Sequence, residues 1–217
     1  FRSTDVGVVL DVMIHDIDLV LAMVGSPVRK VDALGFSVLG GHEDIANARI
    51  EFESGCVANL SASRVSYESL RRMHAWSVDG FASVDYAART ATLVTPSEFL
   101  LRRKFDVNAL SAEQVEHYRQ HFAEEHLPRE QFSFDAVDAL ALEVEDFVLA
   151  IRERREPRVN GEAGRDALAV AEQILARIED HCWDASPNGL SGPLALPGRH
   201  ILSSPLVQPV MVHGKAG

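Results

Sequence analysis

The chain has 217 residues, of which 47% are hydrophobic and 24% charged, as is usual for a globular protein with a sizeable core. Its formal net charge of −11 argues against nucleic-acid binding, because contact with phosphates requires a basic surface. No apolar run reaches the roughly 18 residues of a membrane helix, and no secretory signal is recognisable. Cys56 and Cys182 lack metal-site spacing and are too few for a disulfide framework. The sequence therefore predicts a cytoplasmic protein with two free thiols and no membrane partner.

The first predicted element is a helix over residues 5–24, which Gly25-Ser26-Pro27 ends. Within it Asp11, His15 and Asp18 recur at i, i+4 and i+7 between apolar residues, a spacing that places them on one helix face. Polar groups in an apolar segment are costly to maintain without partners, so this strip indicates a functional site. A satisfied core histidine flanked by capping or solvated aspartates would show the same pattern.

An antiparallel meander is predicted for the middle of the chain. Apolar and polar residues alternate with a period of two, and turn signals such as Glu53-Ser54-Gly55 and Asp79-Gly80 separate the runs. One face of the sheet is expected to be covered and the other to be more polar. The predicted strands are residues 28–39, 46–52, 56–62, 71–78, 81–86 and 89–95.

Helical spacing dominates the second half of the chain. Helices are predicted over residues 111–126, 135–154 and 162–182, and Pro and Gly break any regular pattern from residue 184 onward. The fold class is therefore α+β, an open and largely antiparallel sheet with helices packed on one face. Residues 1–183 are expected to form one domain, followed by an arm over residues 184–217. The last helix is expected to bury Leu168, Ala171, Ile174, Leu175 and Ile178.

Several well-known chemical motifs do not occur in the sequence. It contains no dinucleotide-binding glycine turn, Walker motif, nucleophile elbow or His-Glu-x-x-His. Gly161-Glu162-Ala163-Gly164 is interpreted as a helix-entry loop rather than a phosphate site. His117, His121 and His126 lie near helical spacing and suggest a metal, but their charged neighbours favour a solvated helix face. No metal site is predicted.

The run at residues 8–18 resembles the Asp-x-x-x-His signature of the Gfo/Idh/MocA oxidoreductases, which opens the C-terminal substrate domain in that family. The resemblance continues through residues 44–49, 51–60 and 61–66. Asp146-Phe147, Pro157 and the glycines at 161 and 164 resemble the end of that domain, so the resemblance covers residues 1–182. The sequence of residues 13–18 is most similar to that of a branch that acts on UDP-N-acetylglucosamine at its 3-position.

This resemblance implies a substrate and oligomerisation domain without its cofactor half. Family members begin with a Rossmann domain that carries the glycine-rich turn and a Glu-Lys-Pro lysine, and neither is found in this chain. NAD or NADP would be bound mainly by that other domain, so no cofactor-binding residue is assigned here and the chain alone is expected to be inactive. Because the chain begins at Phe1, we expect a piece of a longer protein. Whether the N-terminal half was removed, left out or never encoded stays open.

The resemblance also assigns roles to individual residues. His15 would be the general base that takes the proton of a sugar or sugar-nucleotide hydroxyl, since an imidazole titrates near neutral pH. Asp11 would orient the ring or contact the hydroxyl. Asp18 would hold the other ring nitrogen or bind substrate, with helix capping or an ion pair as the alternative. Arg64 and Arg49 would meet a diphosphate, unless they form surface ion pairs.

Two alternatives belong to other functional classes. The chain would be a non-catalytic dimerisation module if the sheet served only for assembly. Asp11, His15 and Asp18 would instead suit a divalent metal if the strip were a ligand set. In either case a homodimer or homotetramer through the sheet face is expected, because an exposed apolar sheet face is an aggregation liability.

Overall fold

The computed structural model describes residues 5–103, 105–183, 189 and 191–195. They form two compact units, one up to Tyr67 and again from Glu153 onward, the other from Glu68 to Arg152. Each unit combines helices with an antiparallel sheet, so the predicted α+β class with open sheets is confirmed. The strands form two sheets, however, where one meander was expected. The domain limits 1–183 and 184–217 stay a prediction, and most of the predicted arm lies outside the described residues.

The first helix of this unit combines a π-helical turn with an α-helix. A π-helical turn spans Val9–Met13 and leads without a break into helix α1, Ile14–Val24. Gly25 ends α1 in the left-handed conformation, and its amide donates to the carbonyl of Leu21 at 3.0 Å, as the stop signal predicts. The predicted start at residue 5 is wrong, because Asp5, Val6 and Gly7 are not helical.

Three strands and a long helix complete the first unit. The strands are β1 (Val28–Phe36), β2 (Ile45–Phe52) and β3 (Val57–Ser63), hydrogen-bonded in that order. The last helix of the chain spans Gly161–Asp180, and the side chain of Asn160 caps it by accepting from the Ala163 amide at 2.9 Å. Part of the predicted arm also belongs here, since the Pro193 carbonyl accepts from the Ser37 amide at 2.7 Å.

Helix α1 and the last helix cover one face of this sheet, and the core lies between them. Gly35 of β1 permits close approach, because a β-carbon there would lie 2.9 Å from the Ile178 side chain. The last helix buries positions at i, i+3, i+4 and i+7, which is the expected helical period. The prediction that Leu168 belongs to this buried face is wrong, because it is 44% exposed. The buried residues of the sheet and the last helix are Val31, Ala46, Ala48, Ile50, Phe52, Ala62, Ala167, Val170, Ala171, Ile174 and Ile178.

The second unit contains a four-stranded antiparallel sheet in sequence order. Its strands are β4 (Arg72–Ser77), β5 (Gly80–Asp85), β6 (Thr90–Val94) and β7 (Arg129–Ser133). The sequence predicts the first three, but β7 carries a single large apolar residue and shows no alternation of burial, so no pattern marks it.

Helices α2 (Glu98–Leu101), α3 (Ala112–His126) and α4 (Ala139–Glu153) follow β6 in this part of the chain, with the last helix, Gly161–Asp180, numbered α5. Ser111 and Gln114 form a capping box at the start of α3. Aromatic rings of α2, α3 and the segment between them pack with centroids 5.2 to 6.0 Å apart. Among the described residues, Ala150 is the one fully buried apolar residue of this unit. No helix in the described ranges is long and apolar enough to cross a bilayer.

Candidate active site

Asp11 and His15 lie on the exposed side of the first helix, one turn apart. Asp11 belongs to the π-helical turn and His15 to the first turn of α1. Both side chains are exposed, whereas Met13 and Ile17 between and beside them are fully buried. The alternative of a satisfied core histidine is therefore wrong for this structure, since the ring of His15 faces solvent.

The π-helical turn is a local irregularity at the position of Asp11. Its hydrogen bonds run from i to i+5, and such single turns inside α-helices occur frequently at functional sites. The sequence pattern does not reveal it, because the apolar spacing of residues 8–24 fits an ordinary helix.

Asp18 is half-buried on α1, one turn beyond His15. Within the part of the chain that the structure describes, no hydrogen bond joins the side chain of Asp18 or Asp11 to the His15 ring. The structure therefore does not show either carboxylate orienting the imidazole, and the roles assigned to Asp11, His15 and Asp18 stay predictions.

The start of this helix is held by a buried carboxylate that the sequence pattern does not mark. Glu43, in the loop before β2, is 4% exposed. Its Oε1 accepts from the amide of Val9 at 3.1 Å, and its main-chain carbonyl accepts from the amide of Val8 at 2.9 Å. A β-carbon at Gly7 would overlap this carboxylate. The only available signal is a pair of acidic residues, Glu43 and Asp44, within a segment that otherwise looks like a turn.

Asp44 and Arg64 form a second buried connection beside Glu43. The Asp44 carboxylate accepts from the amides of Val38 and Leu39, each at 2.7 Å, and lies 3.4 Å from Nε of Arg64. A terminal nitrogen of Arg64 donates to the carbonyl of Val6 at 2.6 Å. Arg64 is thus 11% exposed in an ion pair with the chain's own groups. The predicted alternative to a diphosphate ligand is a surface ion pair, whereas this pair is nearly buried.

Arg49 lies on the open face of the first sheet, away from the helices. It contacts Glu51 at 3.4 Å and Asn59 at 3.3 Å, and the Arg29 and Arg49 guanidiniums hold the pKa of Glu51 below its usual range. A groove of about 690 Å³ that Arg49 lines together with the end of α5, Arg177 and Asp180, includes neither Asp11 nor His15. The structure therefore does not bring Arg49 and His15 together within one chain.

Two of the three histidines of α3 contact acidic neighbours. Nε2 of His117 lies 2.7 Å from Glu125, and Nδ1 of His121 lies 3.8 Å from Glu124. Nδ1 of His126 lies 3.0 Å from the hydroxyl of Ser97. Over the described ranges no three His, Cys, Asp or Glu side chains are placed to hold a metal ion, and this includes Asp11, His15 and Asp18. Both cysteines are free and exposed.

Known proteins place this geometry in a family. Residues 2–80 match the model of the GFO/IDH/MocA C-terminal domain. The chain is 34% identical over 178 residues to UDP-N-acetylglucosamine 3-dehydrogenase of Acidithiobacillus ferrooxidans, an alignment that covers 82% of this chain and 50% of that enzyme. A solved structure of that enzyme superposes with a TM-score of 0.66 at 33% identity, with coverage of 82% and 50%.

A levoglucosan dehydrogenase solved with NADH shares the fold, with a TM-score of 0.61 at 14% identity over 79% of this chain and 48% of that one. The chain thus spans about half the length of the relatives it matches. Its sequence and its fold agree in this assignment: the chain belongs to the Gfo/Idh/MocA oxidoreductase family and carries that family's C-terminal domain.

Proposed function

We propose that this chain is the substrate half of a nicotinamide-dependent dehydrogenase that oxidises a hydroxyl of a sugar or sugar nucleotide. UDP-N-acetylglucosamine, oxidised at its 3-position, is the foremost candidate, because the 34% identical relative carries that activity in its name. The observation that carries the proposal is the exposed Asp11–His15 pair at the start of α1, within the stretch that matches the family model.

His15 suits the task of a general base. Oxidation of a secondary alcohol removes the hydroxyl proton and transfers the carbon-bound hydrogen with two electrons to an acceptor. An imidazole nitrogen is a suitable acceptor for that proton. Asp11 lies one turn earlier on the same exposed side, where its carboxylate can accept a hydrogen bond from the substrate. Asp18 is proposed to bind substrate at the edge of this site.

The described residues do not fit a nicotinamide dinucleotide. Both sheets are antiparallel, whereas the known dinucleotide cradle requires a glycine-rich turn between a parallel strand and a helix. The N-terminus of α5 is already capped by Asn160. We therefore assign the binding of NAD or NADP to a Rossmann domain outside this chain, and the chain alone is expected to lack dehydrogenase activity.

Assembly through a sheet face is the second part of the proposal. Residues paired across β4 to β7 place a mostly apolar face on the second sheet, with Glu130 opposite Leu93 at its β7 edge, and Leu93 and Phe132 on it are 40% and 42% exposed. This observation also favours the alternative of a purely structural dimerisation module. The apolar residues of this face, called the apolar sheet face, are Met73, Ala75, Ala82, Val84, Ala91, Leu93 and Phe132. A cytoplasmic location and a homo-oligomer are also part of the proposal.

The catalytic proposal is tested on the longer enzyme that contains this chain. We expect turnover of UDP-N-acetylglucosamine with NAD or NADP in a steady-state assay, and His15→Ala should lower kcat by about 10²- to 10⁴-fold. The melting temperature should be unchanged, because the His15 side chain is exposed.

His42→Ala is the matched control, since His42 is an exposed histidine in the loop before β2. It should retain wild-type turnover. Near wild-type turnover of His15→Ala would refute the general-base role, and an enzyme that converts no sugar nucleotide while forming stable dimers would favour the structural module.

A further inference from the structure

We propose that Glu43 is the positioning residue of the Asp11–His15 pair. Its buried carboxylate sets the point at which the first helix begins, and thereby the direction in which Asp11 points relative to His15. This inference rests on the proposed function of the pair, but the geometry that carries it lies in the loop before β2.

The first amides of a helix have no partner within the helix. Here the amides of Val8 and Val9 both donate to one residue, Glu43, which lies 34 positions away from Val9 in the sequence. The main-chain carbonyl of Glu43 accepts from Val8 at 2.9 Å and its Oε1 accepts from Val9 at 3.1 Å. The flanking position Val8 contributes no side-chain cap of its own. Glu43 therefore replaces the local N-cap residue that the sequence lacks.

The position of the Glu43 carboxylate depends on Gly7. A β-carbon at this position would overlap the Glu43 carboxyl group, so only glycine leaves room for it. The chain on the other side of Gly7 is also fixed, because Arg64 donates to the Val6 carbonyl at 2.6 Å and pairs with Asp44. The entry to the helix is thus tied on both sides of Gly7 to the loop that carries Glu43 and Asp44.

A fixed start determines the rotation of the residues that follow. Asp11 lies two positions after Val9 in the π-helical turn, and His15 lies six positions after it. If the first hydrogen bonds slipped by one residue, the side chains of that turn would rotate by about 100° around the helix axis. Ile17 and Val20 are buried and would keep α1 in place, so loss of Glu43 should turn Asp11 away from His15 without unfolding the unit.

Two nearly isosteric substitutions separate positioning from packing. Glu43→Gln keeps an oxygen that accepts from the Val9 amide, whereas Glu43→Met fills the same space without an acceptor. By NMR on this chain, Glu43→Met should raise hydrogen exchange at Val9, whose amide loses its acceptor, by about 10-fold or more and shift the His15 ring signals. Glu43→Gln should leave both near wild type. Glu53→Met, an exposed acidic position in the β2–β3 turn, should change neither.

In the longer enzyme, Glu43→Met should lower kcat by about 10- to 100-fold with little change in KM, and Glu43→Gln should restore it. Wild-type exchange at Val9 together with unchanged His15 signals in Glu43→Met would overturn the proposal. If Glu43→Met does not fold, Gly7→Ala displaces the same carboxylate, and unchanged His15 signals there would overturn it equally. An enzyme without sugar-nucleotide activity would refute the proposed function alone, because exchange and ring signals still decide the role of Glu43.

Discussion

Charged residues around the first helix fall into two groups with different surroundings. Asp44, Glu43 and Arg64 are buried or nearly so, and their polar groups bind main-chain atoms or each other. We interpret these paired groups as structural, because burying a charge without a partner costs free energy. Asp11 and His15 are exposed, with no hydrogen bond between their side chains in the described part of the molecule. At the scale of single residues, this contrast separates the helix support from the candidate chemistry.

Asp11 is expected to act on the substrate directly. Its carboxylate is exposed, and among the described residues no hydrogen bond joins it to the His15 ring. Asp11→Asn in the longer enzyme should lower kcat/KM by about 10- to 100-fold, as expected for a lost hydrogen bond to a charged group. Asp5→Asn, an exposed aspartate before the helix, is the control in the same steady-state assay. An Asp11→Asn enzyme with wild-type kcat/KM would exclude the substrate contact.

Helix α5 supports the candidate site because it packs against α1, the helix that carries His15. It packs against β1 and α1, and Arg177 adds a hydrogen bond from its Nε to the Val31 carbonyl at 3.1 Å. Its buried stripe is continuous over three turns, whereas α1 contributes Ile17 and Val20. The position of α1, and with it His15, therefore depends on the apolar contacts of α5.

A pair of substitutions on α5 tests this dependence. Ile174 is fully buried and Leu168 is 44% exposed. Ile174→Ala should lower the free energy of unfolding by about 2–5 kcal/mol, since it leaves a cavity in the core. Leu168→Ala should change it by about 0.5 kcal/mol or less. Urea unfolding of this chain followed by circular dichroism measures both, and equal losses would contradict the observed helix face.

The two units differ in how their sheets are covered. The first sheet has helices on one face and a polar open face with residues such as Asp32, Asn47 and Arg49. The second sheet carries the apolar sheet face defined above, together with an exposed Trp76 on its opposite side. An exposed apolar face of this kind is typical of an interaction surface. The assembly proposed for the whole molecule therefore centres on the second unit.

Leu93→Glu should convert a dimer or tetramer of this chain to a monomer, because it places a carboxylate opposite Glu130 within the apolar sheet face. Thr92→Glu is the matched control: the neighbouring residue of β6 points to the other face of the same sheet. Size-exclusion chromatography with light scattering measures the mass of each variant. A wild-type chain that is monomeric at high concentration would refute assembly through this sheet.

The local sequence pattern was sufficient to predict most helices and strands and to single out Asp11 and His15 as the candidate pair. The stop at Gly25, the helical spacing of residues 111–126 and the alternation of β1 to β3 are local signals, and each produced the expected element. The spacing of Asp11 and His15 likewise placed both on one side of a helix, because helical geometry depends only on residues a turn apart.

Contacts between distant segments decided the rest. Strand β7 exists because β6 pairs with it, the π-helical turn begins where Glu43 holds it, and Arg64 is occupied by Asp44. None of these partners is close in sequence, so no periodicity reports them. The sequence by itself determined most of the helices and strands and the helical spacing that singles out Asp11 and His15 as the candidate pair. Only the tertiary structure decided that the strands divide into two sheets and that His15 faces solvent, because burial depends on what packs against a segment rather than on its own composition.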